Sequence, residues 1–526
     1  MEGKKHRKGI IEWVVVAVLV VILAGTCYYT KGKMDDVKNV EAPLPSAKIV
    51  LYEGPKSLKD AAAEDIALAT EYRRDFSLMH CTDTTVKVDG YDCYVYDTNV
   101  NLNRSWFPDY QPPQSRTPVT YFDFQGEVTL EVSVPDIELN EVKISPVEDG
   151  IVPEIDKANH TVRFKITEPK AYTLTFNQSP ERAVHIFANP LEVNPPKEGD
   201  ENVIYIGPGE WKIDAIMLED NQTLYLAGGA VVHSIIQANH AKNIKVMGRG
   251  IIDGSTYRGW HATTAMVPLK FDNCDNVEIH DIIALNPNAW VCNAEGSKNG
   301  LIDGLKIISS RPNGDGITLQ SVENYTIQNC FVRSWDDSLV VKNYSKDSDA
   351  HNITFRNNQV WTDLAQSCEI GFETNKGMKT DAKIYDVKFE NITILNNYHK
   401  PAISIHNADD ATVSDISYKN IVIENEEIGS GDSDSSYLLD FWIMQNGNWS
   451  KTPDRGQIRN VTVDGLKVLS GTDKGLKMRI KGYDAQHTVE NVSIKNLEIL
   501  GNKITGFDYN KLNIIDENST KNITIE

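Results

Sequence analysis

The chain has 526 residues, 40% of them hydrophobic, which is enough to bury a large core and excludes a disordered polymer. Its formal net charge of -21, with no basic stripe, excludes nucleic acid as a partner, because phosphate binding draws its affinity from clustered lysine and arginine. Seven scattered cysteines give neither metal-ligand spacing nor a dense disulfide framework, so no metal and no cofactor is expected.

In chain order, the first element spans residues 1–33. Lys4-Lys5-His6-Arg7-Lys8 precedes a mostly apolar run from Trp13 to Tyr29, the pattern of a segment that enters a membrane with its basic end inside. Ala24-Gly25-Thr26 is a poor cleavage site and Cys27, after Thr26, a poor lipidation site. A membrane partner through an uncleaved anchor is therefore expected, with the remainder on the extracellular face; secretion is the alternative.

Residues 34–189 read as an N-terminal region holding a small β-sandwich. From Ser46 to Tyr110 the pattern is mixed, with a helical stretch at Lys59 to Tyr72 and strand-like runs around Cys93 to Val100. From Thr117 to Phe176 short alternating strands follow, such as Val128 to Val132 and Thr161 to Ile166, separated by Pro, Asp, Asn and Gly. Cys81 and Cys93 are a possible pair if exported, whereas Cys274, Cys292, Cys330 and Cys368 lie in or beside strand-like runs as buried thiols. Pro190 to Asp200 reads as a linker.

Residues 190–526 repeat. An Asn or Asp followed by alternating apolar residues recurs at Asn243, Asn276, Asn299, Asn324, Asn352, Asp386, Asp415, Asn460, Asn491 and Asn522, in steps of between 23 and 45 residues. Units of two or three short strands at this period are coils of a β-solenoid, since the period-2 alternation and β-branched content disfavour helical repeats. Several of these asparagines also spell Asn-x-Ser/Thr glycosylation sequences, but a corner that needs the left-handed conformation and a stacked amide ladder explain them better.

Two neighbouring coils carry Asn313-Gly314-Asp315-Gly316 and Trp335-Asp336-Asp337-Ser338, and a step of 22 residues places Asp315 beneath Asp337. Three carboxyl groups then converge where coils are about 4.8 Å apart. Crowded like charges raise one another's pKa, which divides acid from base as glycoside hydrolysis requires. An Asp-Asp pair alone reads more simply as a solvated turn or a calcium ladder; the third Asp at coil spacing argues against that. Five residues on, Gln320 and Lys342 begin a column that is expected to continue through Glu373 and His406 as a sugar-binding wall, with Glu369 beside it and Asn313 at its edge. An exposed polar ladder explains that column equally well. Trp335 is a candidate to stack on a sugar ring or to sit in the core.

These residues resemble glycoside hydrolase family 28, the polygalacturonases, and the related family 49 dextranases. Asn313-Gly314-Asp315-Gly316 is similar to the family's Asn-Thr-Asp-Gly, with Gly for Thr; Asp336-Asp337 looks like its Asp-Asp; and Lys342 stands where a lysine follows. The stretches 183–190, 203–209 and 224–230 are similar to the way dextranase-type enzymes begin. The resemblance implies an all-β, right-handed parallel β-helix of the pectin-lyase-like type. It also implies an inverting mechanism with Asp336 as general acid and Asp315 and Asp337 holding the water. Two departures bear on substrate: Cys368 to Glu373 replaces the family's Gly-His-Gly, and Ser404-Ile405-His406 replaces its Arg-x-Lys, removing the basic residues that bind galacturonate carboxylates. Arg479-Ile480-Lys481 spells the latter motif in another coil and reads as coincidence.

The function expected is therefore an inverting, metal-independent hydrolase of O-glycosidic bonds in an extracellular polysaccharide. A polysaccharide lyase on the same fold, with Lys342 as base, and a non-catalytic carbohydrate-binding β-helix are the alternatives. Glu424 to Arg455 is expected to form a cleft wall.

Overall fold

The computed structural model describes residues 48–60, 78–101, 112–256, 266–427, 437–471, 476–506 and 514–526. The expected membrane segment, most of the helical stretch at 59–72 and part of the 424–455 wall lie outside the described residues. Among the described residues no helix is long and apolar enough to cross a membrane.

Short alternating strands build two facing sheets from Lys48–Leu51 to Ser179–Pro190, one of seven strands and one of five. Pairing is antiparallel apart from Ser115–Gln125, which runs parallel to Ser179–Pro190. The inward faces supply one core, including Phe122, Phe124, Leu130, Val132, Phe164, Leu174 and Ile186. This is the expected sandwich, but it begins before Thr117: Lys48–Leu51, Thr85–Val88 and Tyr96–Val100 all join it. Tyr96–Val100 falls in the strand-like run expected at 93–100, whereas Lys48–Leu51 and Thr85–Val88, at four residues each, are too short for alternation to announce them. Cys81 and Cys93 are both free thiols. Register keeps them apart, because the Cys81 amide bonds to Val95 and the Cys93 amide to Val86.

From Val203–Ile206 onward pairing is parallel, apart from a late hairpin between Leu497–Ile499 and Asn502–Ile504. A typical coil holds three strands, as in Lys298–Asp303, Lys306–Ile308 and Ile317–Gln320, which pair respectively with Glu323–Gln328, Phe331–Ser334 and Leu339–Lys342 of the next. The first two belong to a 21-stranded sheet and the third to an 11-stranded sheet. The result is a parallel β-helix, consistent with the right-handed winding that nearly all parallel crossovers adopt. Alternate residues of every coil point inward to one continuous core, where Phe355, Phe389 and Tyr418 stack at 4.8 and 5.0 Å. Cys274, Cys292, Cys330 and Cys368 lie in that core, as expected.

The sandwich packs on the 21-stranded sheet, where Tyr121 and Phe187 join Val231, Ile251, Ile283, Phe331 and Trp361 in a second apolar cluster. Buried ions cross the same junction: Arg249 Nε lies 2.8 Å from Asp123 Oδ1, and Arg333 Nη1 lies 3.2 Å from His185 Nε2. That packing occupies the 21-stranded sheet, and the functional cavity forms on the 11-stranded one.

The repeating asparagines behave as corners. Asn243, Asn276, Asn299, Asn324, Asn352, Asn460, Asn491 and Asn522 all have φ between 53° and 61°, as do Asp386 and Asp415. Their amides form a ladder: Asn324 Nδ2 donates to Asn299 Oδ1 at 3.1 Å and Asn352 Nδ2 to Asn324 Oδ1 at 2.6 Å. Each rung thus offsets the cost of a left-handed backbone that an ordinary L-residue avoids. Asn324→Ala should lose about 1–2 kcal/mol in chemical denaturation, with Asn324→Gly recovering part of it by relieving the backbone.

Candidate active site

The site is assembled by register. Ile317 pairs with Leu339 and Gln320 with Lys342, and the Gly316 amide donates to the Asp337 carbonyl at 2.8 Å, so Asp315 does sit beneath Asp337. The turn before Ile317 is tightly enclosed. A Cβ on Gly314 would meet the Arg311 carbonyl oxygen at 2.5 Å, which accounts for Gly where Thr was expected by resemblance. Asp336, the least buried of the three aspartates, accepts from the Asn313 amide and from the Asp337 amide, each at 3.0 Å. Two successive turns are thereby locked together around one carboxylate.

Lys342 is the hub. Its Nζ lies 3.3 Å from Asp315 Oδ2, 3.4 Å from Glu373 Oε2 and 3.8 Å from Asp337 Oδ2, and 5.6 Å over the Trp290 ring. Burial opposes its charge, but Glu373, Asp315 and Asp337 hold the ammonium well above the usual lysine range. One cation cannot neutralise three buried carboxylates. Burial, with Asp336 and Glu373 adding to it and Lys342 opposing, pushes Asp315 up to about 7. Burial likewise raises Asp337 far above an ordinary carboxylate. Glu373 goes the other way: burial is outweighed by Lys342 and by the Tyr344 hydroxyl, which donates to it at 2.8 Å. Asp315 and Asp337 are thereby made more basic than ordinary carboxylates and Glu373 less so, and a carboxylate of raised basicity is suited to take a proton from water.

A second polar chain flanks the first. His406 Nδ1 lies 2.8 Å from Glu369 Oε1, its Nε2 lies 3.0 Å from Asp440 Oδ2, and its ring stacks 4.5 Å from Phe372. Burial works against the imidazolium, yet Glu369 and Asp440 raise His406 to about 9. Arg479 binds Asp440 in turn, Nε to Oδ1 at 2.8 Å and Nη2 to Oδ2 at 2.6 Å.

A cavity of about 670 Å³ joins these groups. It is lined by Asn313, Asp315, Asp336, Asp337, Lys342, Glu373 and His406, all expected at the site, by Asp440, Trp442 and Trp449, which fall in the segment 424–455 expected as a cleft wall, and by Trp290, Tyr344 and Arg479, which were not expected. Three expectations need correction. The column is Gln320, Lys342, Gly371, His406: Val341 pairs with Ile370 and Gly371 with His406, so Glu373 lies two residues past the column and reaches Lys342 from beyond the strand. Gln320 and Glu369 are fully buried and outside the cavity lining, Glu369 serving as a partner behind His406. Trp335 touches the cavity but is 2% exposed. Arg479 does lie in another coil, two strands beyond His406, yet the same sheet carries it to this cavity, so its place in the sequence misled.

Residues 214–437 match the sequence family described as glycosyl hydrolases family 28. That stretch, which is similar to family 28, holds Asp315, Asp336, Asp337 and Lys342, and so agrees with the resemblance read from the motifs. The chain is 24% identical over 258 residues to an exopolygalacturonase of Arabidopsis thaliana, covering 42% of this chain and 60% of that one. It is 23% identical over 233 residues to an endo-polygalacturonase of Pectobacterium carotovorum, covering 44% and 52%. The chain thus spans about half the length of the curated relatives it matches. Among solved structures, Dex49A from Penicillium minioluteum superposes with a TM-score of 0.58 at 14% identity, covering 85% of this chain and 95% of that one, a likeness of fold. The family 28 match ends at residue 437, before Asp440, Trp442 and Arg479.

Two outcomes test these electrostatics. Lys342→Met should destabilise the fold by about 3–5 kcal/mol, because it leaves buried carboxylates uncompensated. It should also move the Asp315 titration above its present value of about 7, followed by the pH dependence of denaturation. His406 has its pKa raised in the folded state from 6.5 to about 9, so its ion pairs stabilise fully below pH 6.5 and that contribution fades as pH rises through 9. The stability difference between wild type and His406→Gln should therefore shrink from pH 6 to about pH 9.5 in thermal denaturation.

Proposed function

We propose that the chain is an inverting glycoside hydrolase acting on O-glycosidic bonds of a polysaccharide outside the cytoplasm, exported or tethered through its N-terminal segment. The observation that carries this reading is the convergence of Asp315, Asp336 and Asp337 on one cavity with a single ammonium among them. The family 28 match and the relatives named as polygalacturonases support it.

In this mechanism Asp336, nearest the open cavity, gives its proton to the glycosidic oxygen as the bond from that oxygen to the anomeric carbon breaks. A water held between Asp315 and Asp337 adds to the anomeric carbon from the opposite face and loses its proton to that pair. Lys342 keeps enough positive charge beside Asp315 and Asp337 for one of them to ionise, and burial keeps their basicity high. A lyase would need Lys342 to accept a proton, but the ammonium is held charged by three carboxylates, so hydrolysis fits the geometry better.

Reducing-end release should be measured on polygalacturonate, rhamnogalacturonan, dextran and other glucans. Asp336→Asn should lower kcat by about 10²–10⁴-fold with little change in KM, as expected for loss of a general acid. Proton NMR of the first-formed product should show the anomer opposite to that of the substrate. Retained configuration, or unsaturated products absorbing in the ultraviolet, would remove the inverting mechanism.

A further inference from the structure

Resting on the hydrolase reading, the geometry points to a narrower substrate: we propose that the cavity between His406 and Trp449 receives a sugar ring without a carboxylate, so that the cleft takes a neutral or esterified polysaccharide and not a free polyuronate.

Arg479, His406 and Lys342, the buried cations of the cavity, are already paired with carboxylates. A guanidinium recognises a carboxylate through two parallel N–H donors, and Asp440 holds Arg479 by such a pair, at 2.8 and 2.6 Å. The same guanidinium also lies over two rings, its Cζ 3.8 Å from the Trp442 centroid and 4.3 Å from that of Tyr437. Arg479 is 5% exposed, so a substrate carboxylate would have to displace Asp440 from a buried pair. His406 is bracketed in the same manner by Glu369 and Asp440. Lys342, further along, lies among Asp315, Asp337 and Glu373. The cavity lining carries five acidic side chains, Asp315, Asp336, Asp337, Glu373 and Asp440, and five basic ones, Lys342, Lys376, Lys400, His406 and Arg479, so what a substrate carboxylate meets depends on which of those cations are already paired. Of the rim lysines, Lys376 lies 4.0 Å over the Tyr344 ring. A uronate entering beside Arg479 or His406 would have to compete with the carboxylates already bound to them, in a confined space where that competition is poorly screened.

The apolar side is equally specific. Trp442 and Phe372 are half-buried and Trp449 is 41% exposed, and all three line the cavity. Ring faces beside a few fixed polar groups suit the C–H face of an uncharged sugar. Trp449 thus presents an exposed aromatic ring to the cleft.

The test reads binding without turnover, using the full chain carrying Asp336→Asn and its tryptophan fluorescence. The probes are an isomalto-oligosaccharide, an oligogalacturonate, and the methyl ester of that oligogalacturonate. At least one uncharged probe should saturate the signal, and the oligogalacturonate should bind at least about tenfold more weakly than its ester. Trp442→Ala should weaken the uncharged probe by about tenfold, and Asp440→Asn, which frees Arg479, should narrow the gap between acid and ester. Equal or tighter binding of the acid, or no binding by any uncharged probe, overturns the proposal. Selective binding of an uncharged probe with no hydrolysis of its polymer by the unsubstituted chain would instead sink the hydrolase reading and leave the binding preference standing.

Discussion

One ammonium among three carboxylates is the constraint on which the site depends. Lys342 sits at the end of a coil strand, fully enclosed, and its charge is what allows Asp315, Asp337 and Glu373 to be buried within 4 Å of it. The attraction is insufficient for all three to ionise freely, and that deficit raises Asp315 and Asp337 while Glu373 stays low. Chemistry thus follows from an imbalance that a structural ion pair would avoid. The same imbalance makes the site intolerant of change, since removing the one cation leaves nothing to offset the burial of the acids.

The β-helix makes this crowding possible. Parallel strands at fixed spacing bring side chains from successive coils into columns, so groups 22 residues apart in sequence become neighbours without any long loop. The corners that keep this register are asparagines in left-handed conformation, tied coil to coil by their own amides. The sandwich binds to the 21-stranded sheet through an apolar cluster and buried ions, and so leaves the 11-stranded sheet, which carries the cavity, uncovered by it.

Much of this was legible from residue spacing. The step between Asp315 and Asp337, the start of the polar column at Gln320 and Lys342, and the corner asparagines all follow from period-2 alternation and a repeat length. What was illegible arises where the period breaks. Glu373 lies beyond the column because Gly371 takes the expected position, and only coordinates show the carboxylate turning back to Lys342. Asp440 and Trp442 lie inside the longest step of the repeat, from Asp415 to Asn460, and Arg479 just beyond it, where counting coils fails, although continuing the sheet through Leu439–Ile443 to Met478–Lys481 finds them. Of the sandwich's first strands, Lys48–Leu51 and Thr85–Val88 were missed for a different reason, being too short to show alternation, while Tyr96–Val100 was legible. Burial was also invisible: Gln320 sits in register with Lys342 yet lies outside the cavity lining.

The most direct test of the central claim is difference infrared spectroscopy of the carboxyl stretch, titrated with pH in the wild type and in Asp315→Asn. A protonated-carboxyl band that disappears at about pH 7 in the wild type and is lost or displaced in the variant is the expected result. If every carboxyl of the wild type is ionised by about pH 5, as ordinary Asp and Glu are, then the raised basicity of the Asp315–Asp337 pair, on which the account rests, is contradicted.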